Sequence, residues 1–238
     1  AILGGMFAVW NDHAGNGITV KDIHDRLFPA LQTLSAKCWT GAATSFSFED
    51  FNRLRLSLSE APAVNEAARW QKGKQLRIET LNPGQTTGEK EVGYGYRVEF
   101  TIEGADEPKG TVLFSSDNAT FYLADPESGQ LGFAHEGYLN KFNYRVEKGR
   151  KVTLAITGDN RKTCLYVDGK LREELGPITL YAMQQKDLAT FQKSDATATQ
   201  PIVYNPSAKM HYQRTLVFPL QKAGDFKSRI TGVKVEQE

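Results

Sequence analysis

The sequence predicts a mainly β protein in which a β-sandwich follows a smaller segment with one strand and two helices. Two observations predict this architecture. From about Gln75 onward, apolar and polar residues alternate with a period of two, and residues typical of turns separate the alternating runs. Before that point, apolar residues recur at the spacing of an α-helix. The change of period divides the chain into residues 1–66 and 67–238, joined across positions 65–74.

The opening residues predict one buried strand followed by a helix. Positions 6–9 are apolar on both alternate faces, which is typical of a strand covered on each side. Thr19 can cap the helix with Asp22 three residues on, Pro29 should kink it, and Gly41 should end it. The apolar stripe of this helix consists of Val20, Ile23, Leu27, Leu31 and Leu34. Because a lone strand–helix unit cannot cover its own strand, we expect the chain to open inside a larger α/β domain.

A second and shorter helix begins near Ser47, which forms a capping box with Asp50. Pro62 follows and should stop it. The apolar stripe of this helix consists of Phe48, Phe51, Leu54 and Leu58. A helix this short needs tertiary packing to be stable, so we expect it to pack against the first helix.

The first quarter of the chain resembles the last strand and last helix of the barrel in family 20 glycoside hydrolases, the β-N-acetylhexosaminidases and lacto-N-biosidases. The residues that carry this resemblance are Gly4-Gly5, Trp10-x-Asp12, Ile23…Leu27-Phe28-Pro29-x-Leu31 and Cys38-Trp39. The resemblance implies that Trp10 packs against a face of an N-acetylhexosamine ring and that Asp12 hydrogen-bonds its hydroxyls. Many family members carry Glu in place of Asp12. The alternative is that Trp10 is a core aromatic residue and Asp12 a turn residue.

The catalytic Asp-Glu pair of that family comes from an earlier strand, and no residue of this chain corresponds to it. The resemblance therefore implies no catalytic residue in this chain, which should be inactive alone.

The sandwich is predicted from about ten short strands. The clearest is the alternation of Tyr94, Tyr96, Val98, Phe100 and Ile102, and Asp168-Gly169 indicates a tight hairpin between two others. Further strands are predicted at 76–80, 112–115, 120–124, 131–134, 142–146, 152–156, 164–167, 215–218 and 230–235. The last of these should pair near the first, which brings the two ends of the domain together.

The run from Lys151 to Leu171, which follows Phe114-Ser115-Ser116, resembles laminin G-like and concanavalin A-like jelly rolls. This resemblance implies a jelly-roll β-sandwich over roughly residues 75–238. It leaves function open, because this fold serves as lectin, enzyme, adhesion module and spacer alike.

Three features of the sandwich are candidates for ligand binding. Asp117 and Asp125 can be calcium ligands, although turn aspartates are the preferred interpretation. Residues 182–211 form a long polar insertion that is either a mobile flap or a lid. Aromatic residues that can stack on a sugar are Tyr122, Tyr138, Phe142, Tyr181, Phe191, Tyr204 and Tyr212.

Composition narrows the class of partner. Lys and Arg number 29 against 28 Asp and Glu, a balance that argues against nucleic acid and anionic membranes. No apolar run approaches the length of a membrane span. Cys38 and Cys164 lie far apart, and the four histidines show no paired spacing, so we predict neither a metal site nor a cofactor. The sequon at Asn118 is short enough to arise by chance.

The combined prediction is the C-terminal fragment of a secreted glycoside hydrolase that acts on terminal β-N-acetylhexosaminides. Its partners would be glycans carrying N-acetylhexosamine and the rest of the catalytic barrel. An extracellular, periplasmic or cell-surface location follows from the family and not from the residues. The alternatives are a lectin-like carbohydrate-binding module and a structural spacer.

Overall fold

The computed structural model describes residues 4–6, 8, 19–41, 47–58, 65–71, 73–180 and 210–237. Two helices come first, α1 (Val20–Thr40) and α2 (Phe48–Leu56), and every element after them is a strand. The longer strands are β1 (Gln75–Leu81), β3 (Tyr96–Glu103), β4 (Thr111–Ser115), β5 (Ala119–Ala124), β8 (Lys151–Gly158), β9 (Thr163–Val167), β10 (Lys170–Leu175) and β15 (Arg229–Gln237). The shorter ones are β2 (Glu91–Val92), β6 (Gly132–His135), β7 (Tyr138–Lys141), β11 (Ile178–Leu180), β12 (Met210–Tyr212), β13 (Phe218–Pro219) and β14 (Lys222–Ala223).

The strands form two larger antiparallel sheets that share one core. The six-stranded sheet has the order β1-β15-β3-β8-β9-β10, and the five-stranded sheet has the order β14-β4-β5-β6-β7. Phe218 joins the two sheets, because its ring lies 5.7 Å from Tyr96 in the first and 5.1 Å from Phe121 in the second. The predicted mainly β sandwich is therefore confirmed.

Strand β3 shows why the alternation in the sequence produces this core. Tyr96, Val98, Phe100 and Ile102 are buried, whereas the residues between them are half-buried. Burying each large apolar side chain contributes about 1.5–3 kcal/mol, so only one register of the strand is favourable. The predicted closure of the domain is also confirmed, because β1 pairs with β15 from Gln75↔Glu236 to Leu81↔Ile230.

The predicted hairpin at Asp168-Gly169 is confirmed as well. Both residues have positive φ, 49° and 76°, as a two-residue turn between twisted antiparallel strands requires.

Two of the predicted strands differ in the structure. Residues 142–146 form no regular strand, because a tight turn interrupts the ladder at residues 142–144. The Tyr144 amide donates to the Phe142 carbonyl over 2.7 Å, while Phe142 and Tyr144 both bond Leu131. The strand predicted at 215–218 is reduced to Phe218–Pro219, which pairs with β2, and residues 215–217 form no ladder. The short strands β2, β7, β11, β12 and β14 were not predicted, because two to four residues carry too little alternation.

The predicted first residues of both helices are confirmed. Thr19 caps α1 and Ser47 caps α2, each accepting the backbone N–H of an aspartate three residues on. Helix α1 continues past Pro29 to Thr40, and Gly41 follows with a φ of 71°.

The buried strand predicted at positions 6–9 is not found where the structure describes the chain. Residues 4–6 and 8 form no strand, and Met6 is 96% exposed. A parallel strand needs neighbouring strands on its edges, and no strand pairs with this stretch at the described positions.

Gly158 stands opposite Tyr96 in the β3–β8 ladder, beneath the tyrosine ring. A Cβ at this position would lie 2.5 Å from Tyr96 Cζ. We therefore expect Gly158→Ala to lower the free energy of unfolding by about 1–3 kcal/mol, as overpacking does. Urea unfolding measures this loss. Gly176→Ala is the matched control, because its Cβ meets only Glu174 Oε1 at 3.9 Å. Equal stability of the two variants would contradict the expectation.

Candidate functional site

Helix α1 is joined to the sandwich through Asp22, a carboxylate with no solvent exposure. One carboxylate oxygen accepts hydrogen bonds from Tyr94 Oη at 2.5 Å and Thr215 Oγ1 at 2.8 Å. The other accepts from the Thr19 amide at 2.8 Å and the Thr19 hydroxyl at 2.7 Å. Two donors thus come from the helix cap and two from the sandwich. We call these four residues the Asp22 junction.

The burial of α1 differs from the predicted pattern, because no residue of its apolar stripe is more than half-buried. The apolar stripe was expected to be the buried face, yet Val20 is 62% exposed and Leu31 is 39% exposed. The one fully buried residue of the helix is the charged Asp22. The fold tolerates this burial because four hydrogen-bond donors replace the water molecules that the carboxylate loses.

Tyr94 is held as a hydrogen-bond donor in this arrangement. Burial, reinforced by the neighbouring Asp22 carboxylate, raises the pKa of Tyr94 well above its usual value. The phenol therefore keeps its proton at neutral pH and donates to Asp22.

An ion pair lies beside the Asp22 junction. Lys21 Nζ is 3.1 Å from Glu91 Oε2 and also donates to the Glu66 carbonyl at 3.0 Å. Glu91 is 7% exposed, and its other oxygen accepts from Ser116 Oγ at 2.7 Å and Asn118 Nδ2 at 2.9 Å. The side-chain nitrogen of the predicted sequon is thus engaged in this contact.

The β8–β9 turn makes a third contact with the helix. Asn160 Nδ2 donates to Asp25 at 2.6 Å, and Arg26 donates to the Asn160 carbonyl at 2.9 Å. Burial raises the pKa of Asp25, and the Asn160 hydrogen bond and the Arg69 charge only partly oppose it.

The segment that joins the two parts of the chain is itself fixed to the sandwich. The Trp70 amide donates to Gln237 Oε1 at 2.5 Å, and its indole N–H donates to the Glu91 carbonyl at 2.9 Å. Gly93 passes so close to this segment that a Cβ would lie 2.9 Å from Ala68 carbonyl atoms. These contacts hold the start of the sandwich next to the Asp22 junction.

Trp10 and Asp12, the predicted sugar-contacting residues, lie outside the described residues, and their role stays a prediction. The nearest described position is informative about the course of the chain. A Cβ at Gly5 would lie 2.9 Å from Leu34 Cδ1, so the beginning of the chain runs beside the later turns of α1.

The sandwich aromatics predicted as sugar platforms are mostly unsuitable where they are described. Phe142 is fully buried and Tyr138 is 6% exposed, whereas Tyr122 is half-buried. The side chains of Tyr181, Phe191, Tyr204 and Tyr212 lie outside the described part of the chain. The insertion at 182–211 falls almost entirely there too; β11 and β12 pair with each other on either side of it.

Asp125 is a turn aspartate, as preferred in the sequence interpretation. Its carboxylate accepts from the amides of Glu127 and Ser128 at 2.8 Å and of Gln130 at 2.9 Å. Asp117 is exposed and lies 3.9 Å from Lys90. Among the residues described by the structure, no group of three His, Cys, Asp or Glu side chains could hold a metal ion.

Neither sequence comparison returned a relative of this chain: no protein-family profile matches, and no curated protein matches. Solved structures are similar at low identity. Galectin LEC-6 of Caenorhabditis elegans is 8% identical with a TM-score of 0.38, over 67% of this chain and 95% of the galectin.

Two glycosidase structures are similar to a comparable degree. Domain 4 of the extracellular arabinanase AbnA of Geobacillus stearothermophilus, in complex with arabinotriose, is 12% identical with a TM-score of 0.32, over 68% of this chain and 66% of that one. A β-1,3-glucanase of Mycobacterium marinum is 11% identical with a TM-score of 0.33, over 70% of this chain and 75% of the glucanase. The likeness extends to the β-sandwich fold at most, and it carries no inference about a ligand.

In the described part of the chain, neither helix combines the length and the apolarity that crossing a bilayer requires.

Replacing Asp22 tests the junction. We expect Asp22→Ala to leave Tyr94 and Thr215 as buried donors without an acceptor, at a cost of about 1–3 kcal/mol each. Hydrogen–deuterium exchange should then show loss of protection in the first turns of α1. Asp50→Ala is the control, because Asp50 holds the same position in α2 and bonds only Ser47 and Arg53. Unchanged protection of α1 in Asp22→Ala would contradict the assignment.

Acid pH tests the Asp125 turn. Burial alone would raise the pKa of Asp125, but the hydrogen bonds from Ser128, Gln130 and Glu127 together lower it below its usual value. A carboxylate with a lowered pKa stabilises the fold above its unfolded pKa of about 3.9, and this stabilisation is lost as pH falls further. Urea unfolding between pH 3 and 5 should show a steeper loss in the unmodified chain than in Asp125→Asn. Parallel stability curves for the two proteins would contradict the lowered pKa of Asp125.

Proposed function

We propose that this chain is the C-terminal part of a secreted glycoside hydrolase similar to family 20, which removes terminal β-N-acetylhexosaminides. In this proposal the sandwich is an accessory domain that fixes the last strand–helix unit of the catalytic barrel. The observation that carries it is the Asp22 junction, in which Tyr94 and Thr215 of the sandwich bond the first turn of α1.

The position of the Asp22 junction supports a role next to the substrate. In a strand–helix unit of a barrel, the end of the strand and the start of the helix lie at the same face, which is where active sites are built. Contact between Gly5 and Leu34 agrees with such a unit, because it brings the start of the chain to the later part of the helix. The sandwich thus holds the end of the unit at which Trp10 and Asp12 would meet the sugar.

The exposed apolar residues of the helices also support this proposal. Trp39 is 92% exposed, Phe48 73% and Leu54 50%. Apolar surface of this kind marks a contact with another part of a protein, and the rest of the barrel is the partner that the proposal supplies. Catalysis would reside there, since the family uses a substrate-assisted mechanism whose Asp-Glu pair this chain lacks.

The lectin-like alternative receives less support from the described residues. A sugar platform is an exposed aromatic face, and the described candidates on the sandwich are buried except for Tyr122. The structural-spacer alternative is contained within the proposal, because the sandwich acts by holding α1.

Sugar titration distinguishes these functions. We expect N-acetylglucosamine, at millimolar concentration, to shift the indole N–H resonance of Trp10 and to leave those of Trp39 and Trp70 unchanged. Asp12→Ala should abolish the shift, and Tyr122→Ala, the matched sandwich variant, should preserve it. Glucose is the control ligand, because it lacks the acetamido group.

The outcomes are distinct. A shift that Tyr122→Ala removes would assign binding to the sandwich and favour the lectin-like function. No shift at Trp10 would refute the assignment of that residue. Turnover of a chromogenic N-acetyl-β-hexosaminide by this chain alone would show that the catalytic pair is here and that the proposal is wrong.

A further inference from the structure

Strand β1 is an open edge of the six-stranded sheet. It pairs with β15 on one side, and no strand that the structure describes lies on the other. Its seven residues, Gln75–Leu81, contain no proline, and its pairing with β15 shows no register shift. A regular edge of this length presents unpaired backbone donors and acceptors, which a further strand can bind.

The other three edges of the two larger sheets are different. Strand β14 has two residues and β7 has four, so each of them offers only a short ladder. Strand β10 has a register shift between Leu171 and Glu173, and Asn143 lies against it. The Asn143 amide donates to Glu173 Oε2 at 2.5 Å, and Arg172 donates to the Asn143 carbonyl at 3.4 Å. Shortness and bulges protect an edge from pairing, and of these four edges β1 has neither protection.

Two opposite charges on β1 lack a complementary neighbour across the ladder. Arg77 and Glu79 are both exposed on the outer face of the sheet. Arg77 stands opposite Lys234, a like charge, and donates to Gln75 Oε1 at 2.9 Å. Glu79 stands opposite Gly232, and no described residue forms an ion pair with it. Because opposite charges that face each other across strands stabilise a sheet, both residues would gain from a partner on the open side.

The two charges select one register for the pairing of β1 with a second β1. A two-fold axis perpendicular to the sheet keeps the inner and outer faces of both copies in line, and it must then pass between identical residues. Centring the pair on Arg77 would set two guanidinium groups opposite each other, and centring it on Glu79 would set two carboxylates opposite each other. Centring it on Ile78 places Arg77 opposite Glu79 twice, so charge favours this register.

The apolar side chains of β1 favour the same register. Leu76 and Ile78 pack against the core but are only half-buried, because they lie at its margin. In the register centred on Ile78, this residue meets Ile78 of the second copy, and Leu76 meets Thr80. A second copy would therefore remove apolar surface from water on the inner face while it pairs the charges on the outer face.

We propose that β1 pairs with β1 of a second copy of this chain, antiparallel and centred on Ile78, so that the two six-stranded sheets join into one continuous sheet. This goes beyond the proposed function and does not rest on it, because it concerns how copies assemble and not what they act on. A dimer presents each face of the sandwich twice, so a ligand with repeated units can be bound at two points.

Analytical ultracentrifugation of the whole chain, from micromolar to submillimolar concentration, tests this pairing. We expect a monomer–dimer equilibrium. Arg77→Glu should raise the dissociation constant of the dimer about tenfold or more, because two pairs of carboxylates replace two opposite-charge pairs. Combining Arg77→Glu with Glu79→Arg restores the opposite charges and should restore the dimer. Lys170→Glu is the matched control, because it reverses an exposed charge on β10, the other edge of the same sheet.

Hydrogen–deuterium exchange locates the contact. Protection of amides within residues 75–81 should rise with protein concentration in the unmodified chain, while that of β10 should not change. Circular dichroism establishes that each variant is folded.

Three results would overturn the proposal. The first is a chain that stays monomeric over the whole range, and the second is a dimer that Arg77→Glu leaves intact, which would assign association to another surface. The third is a dimer that Arg77→Glu weakens and the combined variant does not restore, which would refute the register centred on Ile78. None of these results changes the sugar titration at Trp10, so the proposed function is tested separately.

Discussion

The burial of the Asp22 carboxylate constrains the arrangement of this protein. A charge removed from water must regain its hydrogen bonds from the protein, and Asp22 does so through donors that belong to two different parts of the chain. Thr19 alone would satisfy one oxygen, and the sandwich alone would present Tyr94 and Thr215 to no acceptor. The helix and the sandwich therefore complete each other's hydrogen bonding at this position.

The other polar contacts around α1 follow from this one. Lys21 and Asp25 flank Asp22 in the sequence, so a helix anchored at Asp22 brings them to Glu91 and Asn160. Their individual contributions are smaller, because Lys21 and Asp25 retain some contact with solvent. A junction made of directional hydrogen bonds fixes the orientation of the helix more strictly than an apolar patch of equal size would.

Local patterns in the sequence predicted most of the fold. The alternation from Tyr94 to Ile102 predicted β3, and the pair Asp168-Gly169 predicted the hairpin between β9 and β10. Both predictions succeed because these signals act between near neighbours. The same kind of signal failed at Phe142, where a turn interrupts an alternating pattern. It failed also in α1, where the apolar stripe is at most half-buried and Asp22 is fully buried.

The candidate site was less accessible to sequence reasoning. Asp22 was recognised as a capping residue, but its partners Tyr94 and Thr215 stand 72 and 193 residues away, beyond the reach of any periodicity. Trp10 and Asp12 rest on a family resemblance and remain predictions.

The pairing of β1 with β15 has an evolutionary consequence. The chain enters the sandwich at Gln75 and leaves it beside Glu236, its partner in the ladder. A domain whose entry and exit lie one strand apart can be gained or lost by a single recombination event without displacing what precedes it. Its acquisition would then have needed only a surface beside α1 that offered two hydroxyl groups to one carboxylate.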